Sequence, residues 1–428
     1  MKIIIGLCTV TATFMLASGY GTKIGSSEDS YKEFYYGNNQ QVQPLKFKNT
    51  RSVNFKKEEV KILNVSEESY KLHEEFLALI NEGDIKAAEE VSEMLYEEAT
   101  SEFSSEKHNH NKELALALVY IGEIKKIKGE NDLAWKDHEK AFWILNENKV
   151  EDQKNNIFLS KYILDTMIKN NKIKEALVYA EEVNKKAINI YGKNSEIEIN
   201  TKIEVAKIYA LTNNELTAIN IFRIIEPRLE HKIRNNTIDT NTLSKFYNAK
   251  AETESSLNKY EKSIKSIEKS IEYQEKEEFR NNKLAEAYIL KADQLQYLER
   301  YEESITAYKK SKKIYEEIFE EDNYSTIEVI KKISVSYRKL GDNEKSKEFL
   351  NVALEKLEKY NSGKTRAKLR MYVDFSNTYY NEDNKELALE YMKKAYDLEI
   401  YLTSKSNMSA KIIKQNVEFL EKEIENEW

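Results

Sequence analysis

Residues 333–353, ISVSYRKLGDNEKSKEFLNVA, indicate most clearly how the chain folds. Gly341 and Asp342 divide this stretch, because a glycine followed by a small polar residue is typical of a turn that ends one helix and begins another. Ser334 lies seven residues before Gly341, and Ser346 lies five residues after it. Helix axes come close only where side chains are small. The stretch therefore predicts two helices that pack across a tight turn.

Similar turns recur along the chain. Their spacings are 46, 42, 42, 45, 41, 42 and 42 residues. A fixed period of this length predicts a stack of identical structural units. The turns are Gly83-Asp84, Gly129-Glu130, Asn171-Lys172, Asn213-Asn214, Asn258-Lys259, Glu299-Arg300, Gly341-Asp342 and Asp383-Asn384.

Small residues recur at fixed offsets from these turns, as close helix packing requires. Five residues after the turn, all eight positions hold Ala or Ser: Ala88, Ala134, Ala176, Ala218, Ser263, Ser304, Ser346 and Ala388. Seven residues before the turn, six of eight are small: Gly122, Ala206, Ala251, Ala292, Ser334 and Ser376, with Phe76 and Leu164 as exceptions. Enlarging one of them should force the helices apart.

The stretch 333–353 resembles the tetratricopeptide repeat, whose pattern is L-G/A-x-x-Y-x-x-x-G-D-x-x-x-A-x-x-x-F/Y-x-x-A. The period is similar to that of the longer variant in kinesin light chains and many bacterial proteins. The resemblance covers residues 67–408 and is weakest in the first unit, where Phe76 and Leu95 occupy small positions. It implies an all-α, right-handed superhelical solenoid of about eight helical hairpins.

Residues 1–19 resemble a secretory signal peptide. Lys2 precedes an apolar run, IIIGLCTVTATFML, and three small residues follow it. This pattern predicts cleavage after Gly19 and export to the periplasm or the cell exterior. A lipoprotein signal would need cysteine where Tyr20 stands, so we predict no lipid. A segment retained as an anchor is the alternative.

Residues 20–66 lack helical periodicity, which predicts an extended or disordered arm. Its aromatic side chains could dock onto the first helices, or could simply be scattered along a tail. After the repeats of 67–408, residues 409–428 form an amphipathic pattern that predicts a helix capping the last unit.

Two unit spacings are longer than the rest and predict longer connections, at 102–112 and at about 231–239. Pro227 falls inside the second helix of its unit. Because proline lacks an amide hydrogen and clashes with the preceding turn, we expect it to kink that helix or end it early.

Composition excludes several classes of function. The chain has 67 Lys and Arg and 74 Asp and Glu, which gives a net charge of −7. This negative charge argues against nucleic acid as a partner. The single cysteine, Cys8, lies in the signal segment, so the mature chain holds neither disulfides nor thiolate metal sites. No second stretch is apolar enough to cross a membrane after signal removal.

Catalytic motifs are incomplete. His73 and His138 each precede a glutamate but lack the second histidine of a zinc-protease helix. His108 and His110 could bind a metal only from a loop, whereas structural zinc sites use four ligands. We therefore predict no catalytic residue, no metal and no cofactor, and expect a protein that is not an enzyme.

In tetratricopeptide repeats, the first helix of each unit lines a concave groove, and the resemblance implies the positions that face it. Their side chains are amides, both charges and aromatics, which suit an extended peptide. An ordinary solvated surface is the alternative. The positions hold Lys161, Asp165, Lys207, Asn248, Glu252, Asp293, Gln296, Tyr297, Lys331, Arg338, Asn377 and Tyr380.

The sequence thus predicts a non-catalytic scaffold that binds another protein or a peptide in the bacterial envelope or outside the cell. The bacterial source is inferred from a composition rich in Lys, Asn and Ile. One alternative is a structural component of an envelope or pilus assembly or secretion apparatus. Another is a peptide-sensing regulator, which would require that residues 1–19 are not cleaved.

Overall fold

The computed structural model describes residues 63, 65–82, 84–101, 112–127, 130–147, 153–276, 282–318, 324–360, 363, 365–403 and 407–426. Residues 1–19 and most of the predicted arm lie outside these ranges. Within them the chain contains seventeen α-helices and no strand. The helices are α1 (Glu67–Glu82), α2 (Ile85–Ser101), α3 (Lys112–Ile127), α4 (Asn131–Glu147), α5 (Gln153–Lys169), α6 (Ile173–Tyr191), α7 (Glu196–Leu211), α8 (Glu215–Arg234), α9 (Thr240–Ser256), α10 (Tyr260–Glu275), α11 (Asn282–Tyr297), α12 (Tyr301–Ile318), α13 (Tyr324–Leu340), α14 (Asn343–Tyr360), α15 (Arg366–Asn381), α16 (Lys385–Leu402) and α17 (Met408–Glu425).

The helices from α1 to α16 form eight hairpins. In each hairpin, an odd-numbered first helix is followed by an even-numbered second helix, and α17 follows the last pair. The predicted all-α fold of about eight helical hairpins with a terminal helix is confirmed.

In six of the eight hairpin turns, the structure describes a residue in the left-handed region at the C-terminus of the first helix. Asn171, Asn213, Asn258, Glu299, Gly341 and Asp383 have φ between 56° and 90°. In five of these turns, the next amide donates to the carbonyl five residues earlier, as Asp342 does to Tyr337 at 2.9 Å. This is the Schellman arrangement, which satisfies a carbonyl at the helix end. In the turn after Gly341, a short side chain caps the next helix, because Asp342 accepts from the amide of Lys345 at 3.1 Å.

The eight small residues that follow the turns are all buried, each with 0% of its surface exposed: Ala88, Ala134, Ala176, Ala218, Ser263, Ser304, Ser346 and Ala388. The serines among them also bond to backbone or hydroxyl groups, as when Ser304 Oγ donates to the carbonyl of Ala292 at 2.9 Å. These positions therefore lie where the two helices of a hairpin meet.

The described residues divide into two compact units. One comprises residues within 38–257 and 269–280, and its core includes Leu116, Ile163 and Phe222. The other comprises residues within 258–268 and 281–428, and its core includes Ile330 and Ile413. The division falls within α10, whose first nine residues belong to the second unit.

Of the two outcomes predicted for Pro227, a kink or an early end of its helix, the early end is wrong. α8 continues through Pro227 to Arg234. Proline costs about 3 kcal/mol inside a helix, but Ile225 and Leu229 on either side are fully buried, and packing of an apolar face supplies most of the stability of such helices. The following connection consequently begins at Asn235 and not at His231. The other long connection, 102–112, lies outside the described residues except for Lys112, which begins α3.

Candidate functional site

The residues predicted to face the groove all lie on first helices. Lys161 and Asp165 lie on α5, Lys207 on α7, and Asn248 with Glu252 on α9 of the first unit. In the second unit, α11 carries Asp293, Gln296 and Tyr297, α13 carries Lys331 and Arg338, and α15 carries Asn377 and Tyr380. Lys161, Lys207 and Tyr297 are exposed, whereas Lys331, Arg338 and Asn377 are buried; the other six are half-buried.

In the first unit, Asp165 belongs to a cluster of four charges. Lys126 Nζ of α3 lies 2.9 Å from Asp165 Oδ2 and 2.6 Å from a carboxylate oxygen of Glu123, while Lys169 Nζ lies 3.0 Å from Asp165. Burial alone would raise the pKa of Asp165, but the two ammonium groups hold that pKa well below its ordinary value. An ion pair of this cluster therefore connects α3 and α5, which are two successive first helices.

Lys161 lies over two aromatic rings. Its Nζ is 5.0 Å from the ring centre of Phe158 and 4.8 Å from that of Tyr162. Beneath them, His73 Nδ1 is hydrogen-bonded to the hydroxyl of Tyr120. Burial, and then the charge of Lys161, lower the pKa of His73 to about 4, so the imidazole is neutral at physiological pH.

The remaining predicted residues of the first unit interact within their own helices. Asn248 Nδ2 donates to Glu252 Oε1 at 3.1 Å on α9. Lys207 Nζ lies 3.2 Å from Glu204 Oε2 on the exposed face of α7. These contacts leave side chains of both signs on the surface of the first helices.

In the second unit, Asp293 connects three helices. Its carboxylate accepts from Lys332 Nζ of α13 at 2.7 Å and 2.8 Å, and also from the hydroxyl of Tyr308 on α12. Gln296 Nε2 donates to Ser336 Oγ of α13 at 2.6 Å. The structure therefore brings α11 and α13 together through two polar bridges.

Tyr297 ends α11 with 48% of its surface exposed. Its ring stacks on Tyr260, with centroids 4.8 Å apart and planes 6° from parallel. An exposed aromatic ring held flat by a neighbour is well suited to contact a ligand, because little side-chain freedom is lost on binding.

Charges continue onto α15. Lys331 Nζ lies 2.5 Å from Glu328 Oε1, and Arg338 contacts Asp374 Oδ1 at 3.4 Å. Burial would raise the pKa of Glu328, but Lys331 and then Arg370 lower it to about 2. For Arg338 and Asp374, burial dominates, lowering the pKa of the guanidinium and raising that of the carboxyl. Burial of either charge therefore costs free energy, and removal of one partner would leave the other as an unpaired buried charge.

Asn377 and Tyr380 lie apart from this network. With Asn416 and Phe419 of α17, they line a cleft beside the terminal helix. The structure thus distributes the predicted residues of the second unit over two places: a polar network on α11, α13 and α15, and the cleft between α15 and α17.

Sequence reasoning missed the partners that build this network. Lys332 and Asp374 each lie nine residues before the turn of their hairpin, a position that the groove prediction did not include. A search for charged residues of opposite sign about one repeat apart would have found the pair of Asp293 and Lys332, which are 39 residues apart.

Across the part of the chain that the structure describes, there is no group of three or more His, Cys, Asp or Glu side chains arranged to hold a metal ion. His108 and His110 lie outside that part. None of the described helices combines the length and apolarity that a membrane span would need.

Comparison with known proteins finds protein-family models and solved structures that are similar to this chain. Models described as tetratricopeptide repeat match residues 244–277, 283–359 and 369–399. No curated protein sequence matches the chain.

Among solved structures, a Rap protein complexed with Competence and Sporulation Factor aligns with 85% of this chain and 100% of its own, at 13% identity and a TM-score of 0.50. Kinesin light chain TPR-like repeats from Podospora anserina align with 49% of this chain and 99% of theirs, at 11% identity and a TM-score of 0.43. PilF of Pseudomonas aeruginosa aligns with 62% of this chain and 99% of its own, at 9% identity and a TM-score of 0.42.

Proposed function

Since this chain is a tetratricopeptide-repeat protein, a scaffold of a kind that binds proteins or peptides, we propose that it holds an extended segment of another protein along its first helices, without catalysing a reaction. The surface formed by α11, α13 and α15 is the proposed binding face. The observation that carries the proposal is that this face combines an exposed aromatic ring with polar side chains that are already fixed in position.

Fixed side chains favour binding because their conformational freedom is lost on folding and not on association. Asp293 is held by Lys332 and Tyr308, and Gln296 by Ser336. The Tyr297 ring rests on Tyr260. A flexible ligand then pays most of the ordering cost, as is common for peptides that fold on binding.

The mixture of groups suits a polypeptide better than a ligand of one charge. Carboxylates and cations alternate along the face, so it offers no uniform field for an anion such as nucleic acid. The half-buried amide of Gln296 can pair with peptide groups, and aromatic residues are enriched where proteins bind each other.

The test is to replace Tyr297 by alanine and to compare it with Tyr401→Ala. Tyr401 is a matched control because it is also exposed, at 65%, and lies on α16, the second helix of its hairpin. Partners captured from the native organism by wild-type protein should be lost or weakened about tenfold by Tyr297→Ala, and retained by Tyr401→Ala. Loss with Tyr401→Ala alone would place the contact on the second helices and favour a structural role in an assembly.

Export is a separate part of the proposal. The apolar run at 3–16 and the small residues after it support removal of residues 1–19 on the way to the periplasm or cell exterior. Mass spectrometry of protein isolated from the native organism tests this, since a chain that starts near Tyr20 is expected. A chain that begins at residue 1 in the cytoplasm would overturn it.

A peptide-sensing regulator is the second candidate. This candidate is considered because a Rap protein complexed with Competence and Sporulation Factor has a similar fold over most of this chain. The regulator requires that residues 1–19 are retained. The mass spectrometry described above therefore distinguishes it from the exported scaffold.

A further inference from the structure

The outer face of α2 differs from those of α6 and α16 in how its charges are compensated. On α6, Lys186 Nζ lies 2.9 Å from Glu182, and on α16 Lys394 Nζ lies 2.6 Å from Glu390. Such pairs, four residues apart, compensate the charge of an exposed helix face. Helix α2 has five glutamates but a single lysine, Lys86, in its first turn. It therefore has too few cations of its own to compensate its carboxylates.

Three of these glutamates, Glu90, Glu93 and Glu97, lie three or four residues apart, on the side of α2 that is opposite its buried residues. All three are exposed, and their carboxylates form no ion pair with any residue that the structure describes. Like charges at this spacing repel each other. Met94 lies beside them with 53% of its surface exposed. The outer face of α2 thus combines uncompensated negative charge with an apolar side chain.

The chain enters the first hairpin close to this face. Leu63 is 9% exposed and belongs to the apolar core of the first unit. Three residues later, Ser66 Oγ donates to Glu98 Oε1 of α2 at 3.2 Å, and the Ser66 amide donates to Glu113 Oε1 of α3 at 3.2 Å. Glu98 lies four residues after Met94 and is therefore its neighbour on the helix surface. The chain that precedes Leu63 consequently starts from a point beside α2.

The sequence before Leu63 has the charge that this face lacks. Residues 44–57, PLKFKNTRSVNFKK, lie outside the described residues; they contain five Lys and Arg and no Asp or Glu, with apolar residues between the basic ones. Lys57 precedes Leu63 by six residues, which can span up to about 20 Å. Glu90 and Glu97 are about 10 Å apart along the helix axis. The basic segment is therefore long enough to reach all three glutamates.

We propose that residues 44–57 bind along the outer face of α2 in the same molecule, with their basic side chains opposite the three glutamates and their apolar side chains against Met94. Two features favour this occupant over a basic partner from elsewhere. Ser66 fixes the end of the segment beside α2, and attachment to the same chain gives the segment a high effective concentration. The contact belongs to a second helix of the first unit and is separate from the binding face on α11, α13 and α15.

The rate of tryptic cleavage in the folded full chain tests this contact, because trypsin cuts after the basic residues of 44–57 and a bound segment is protected. Glu90→Gln/Glu97→Gln removes two charges at nearly unchanged size. Cleavage within 44–57 should become about fivefold faster than in wild-type protein, since two surface ion pairs contribute about 1 kcal/mol together. Equal rates in this variant and wild-type protein would overturn the proposal.

The matched control is Glu175→Gln/Glu230→Gln, which neutralises two exposed glutamates on α6 and α8 of the same unit. It should leave the cleavage rate within about twofold of the wild-type rate. Thermal unfolding of both variants establishes that they are folded. Added salt should accelerate cleavage of wild-type protein more than cleavage of Glu90→Gln/Glu97→Gln, because salt screens surface ion pairs. The same salt response in both proteins would show that these glutamates do not hold the segment.

Carbodiimide cross-linking, which joins a lysine to a carboxylate in contact with it, shows whose segment is bound. Isotope-labelled and unlabelled wild-type protein are mixed and cross-linked, and the linked peptides are identified by mass spectrometry. We expect links from lysines of 44–57 to Glu90, Glu93 or Glu97 in which both peptides carry the same label. Links between labelled and unlabelled peptides would place the segment of a second copy on α2 and overturn binding within one molecule. Absence of links to these glutamates would also contradict the proposal.

Discussion

The contact between Gly122 and His138 shows, at the scale of single residues, how closely the two helices of a hairpin approach. A Cβ atom added to Gly122 would lie 2.3 Å from two atoms of the His138 ring. Hydrogen bonds also join that ring to Thr166 Oγ1 at 2.7 Å and to the carbonyl of Val119 at 3.0 Å. The imidazole is held from several sides and cannot move aside for a methyl group.

Gly122→Ala should therefore lower the free energy of unfolding by about 1–3 kcal/mol, the usual cost of overpacking. Urea unfolding followed by circular dichroism measures it. In a His138→Ala background, the ring is gone and the same glycine change should cost little. An equal cost in both backgrounds would mean that His138 is not the group in the way.

The buried histidines also predict a dependence on pH. Burial lowers the pKa of His73 and of His138 to about 4, whereas an unfolded histidine titrates near 6.5. Between these values the unfolded chain binds protons that the folded chain does not, so stability falls as pH falls from about 6.5 to 4. Each histidine contributes up to about 1.4 kcal/mol per pH unit in that window.

The measurement compares urea unfolding at pH 7.5 and pH 5 for wild-type protein and for His138→Gln. The wild-type chain should lose more stability on acidification than the variant, which lacks one of the two titrating rings. Equal losses would show that the imidazole is already charged in the folded protein.

At the scale of elements, the hairpin turns depend on one residue in the left-handed region. Gly341 adopts φ of 90° without a side chain to clash, while Glu299 adopts 59° in the equivalent turn. Left-handed backbone costs a residue with a Cβ roughly 1–2 kcal/mol. The repeat tolerates this because packing of the two helices fixes the turn.

Glu299→Gly should consequently raise the free energy of unfolding by about 1 kcal/mol. The matched control is Glu302→Gly, an exposed position two residues into the right-handed helix α12, where glycine should lower stability by about 1 kcal/mol. Thermal and urea unfolding of both variants would show changes of opposite sign. A loss of stability in both would mean that the Glu299 side chain makes a stabilising contact that outweighs its backbone strain.

At the scale of the whole molecule, α17 takes the place of a ninth first helix. Its buried face, which includes Ile413, Val417 and Leu420, joins the core of the last hairpin. Position 418, which is in register with the small residues seven before each turn, holds an exposed glutamate. No second helix follows α17 in the described residues, so nothing there requires a small side chain.

Deletion of residues 404–428 should expose the apolar surface of the last hairpin, lower the urea midpoint of the second unit and cause self-association. Urea unfolding and sedimentation measure these effects. The control replaces the exposed Lys411, Lys414 and Glu418 by alanine and should leave both properties near those of wild-type protein. Unchanged stability after the deletion would show that α17 does not act as a cap.

The hairpins, their number and their turns could be predicted from the sequence alone. Those features depend on local chemistry: residues that tolerate a left-handed backbone, polar caps, and small side chains at fixed offsets. Ala218 and Ser304 could be assigned to a helix contact before any coordinate was known, because a larger side chain does not fit there. The course of α8 through Pro227 could not, since buried neighbours outweigh the local preference of proline.

Which polar residues contact each other became visible in the three-dimensional structure and not before. Asp293 was predicted to face the groove, but its bonds to Lys332 and Tyr308 depend on how one hairpin is offset against the next. The unpaired amide of Asn416 likewise exists only because α17 places it against a neutral wall of α15. Which side chains pair depends on the relative positions of helices about forty residues apart in the chain. The spacing of the repeats does not define those positions to the accuracy that a hydrogen bond requires.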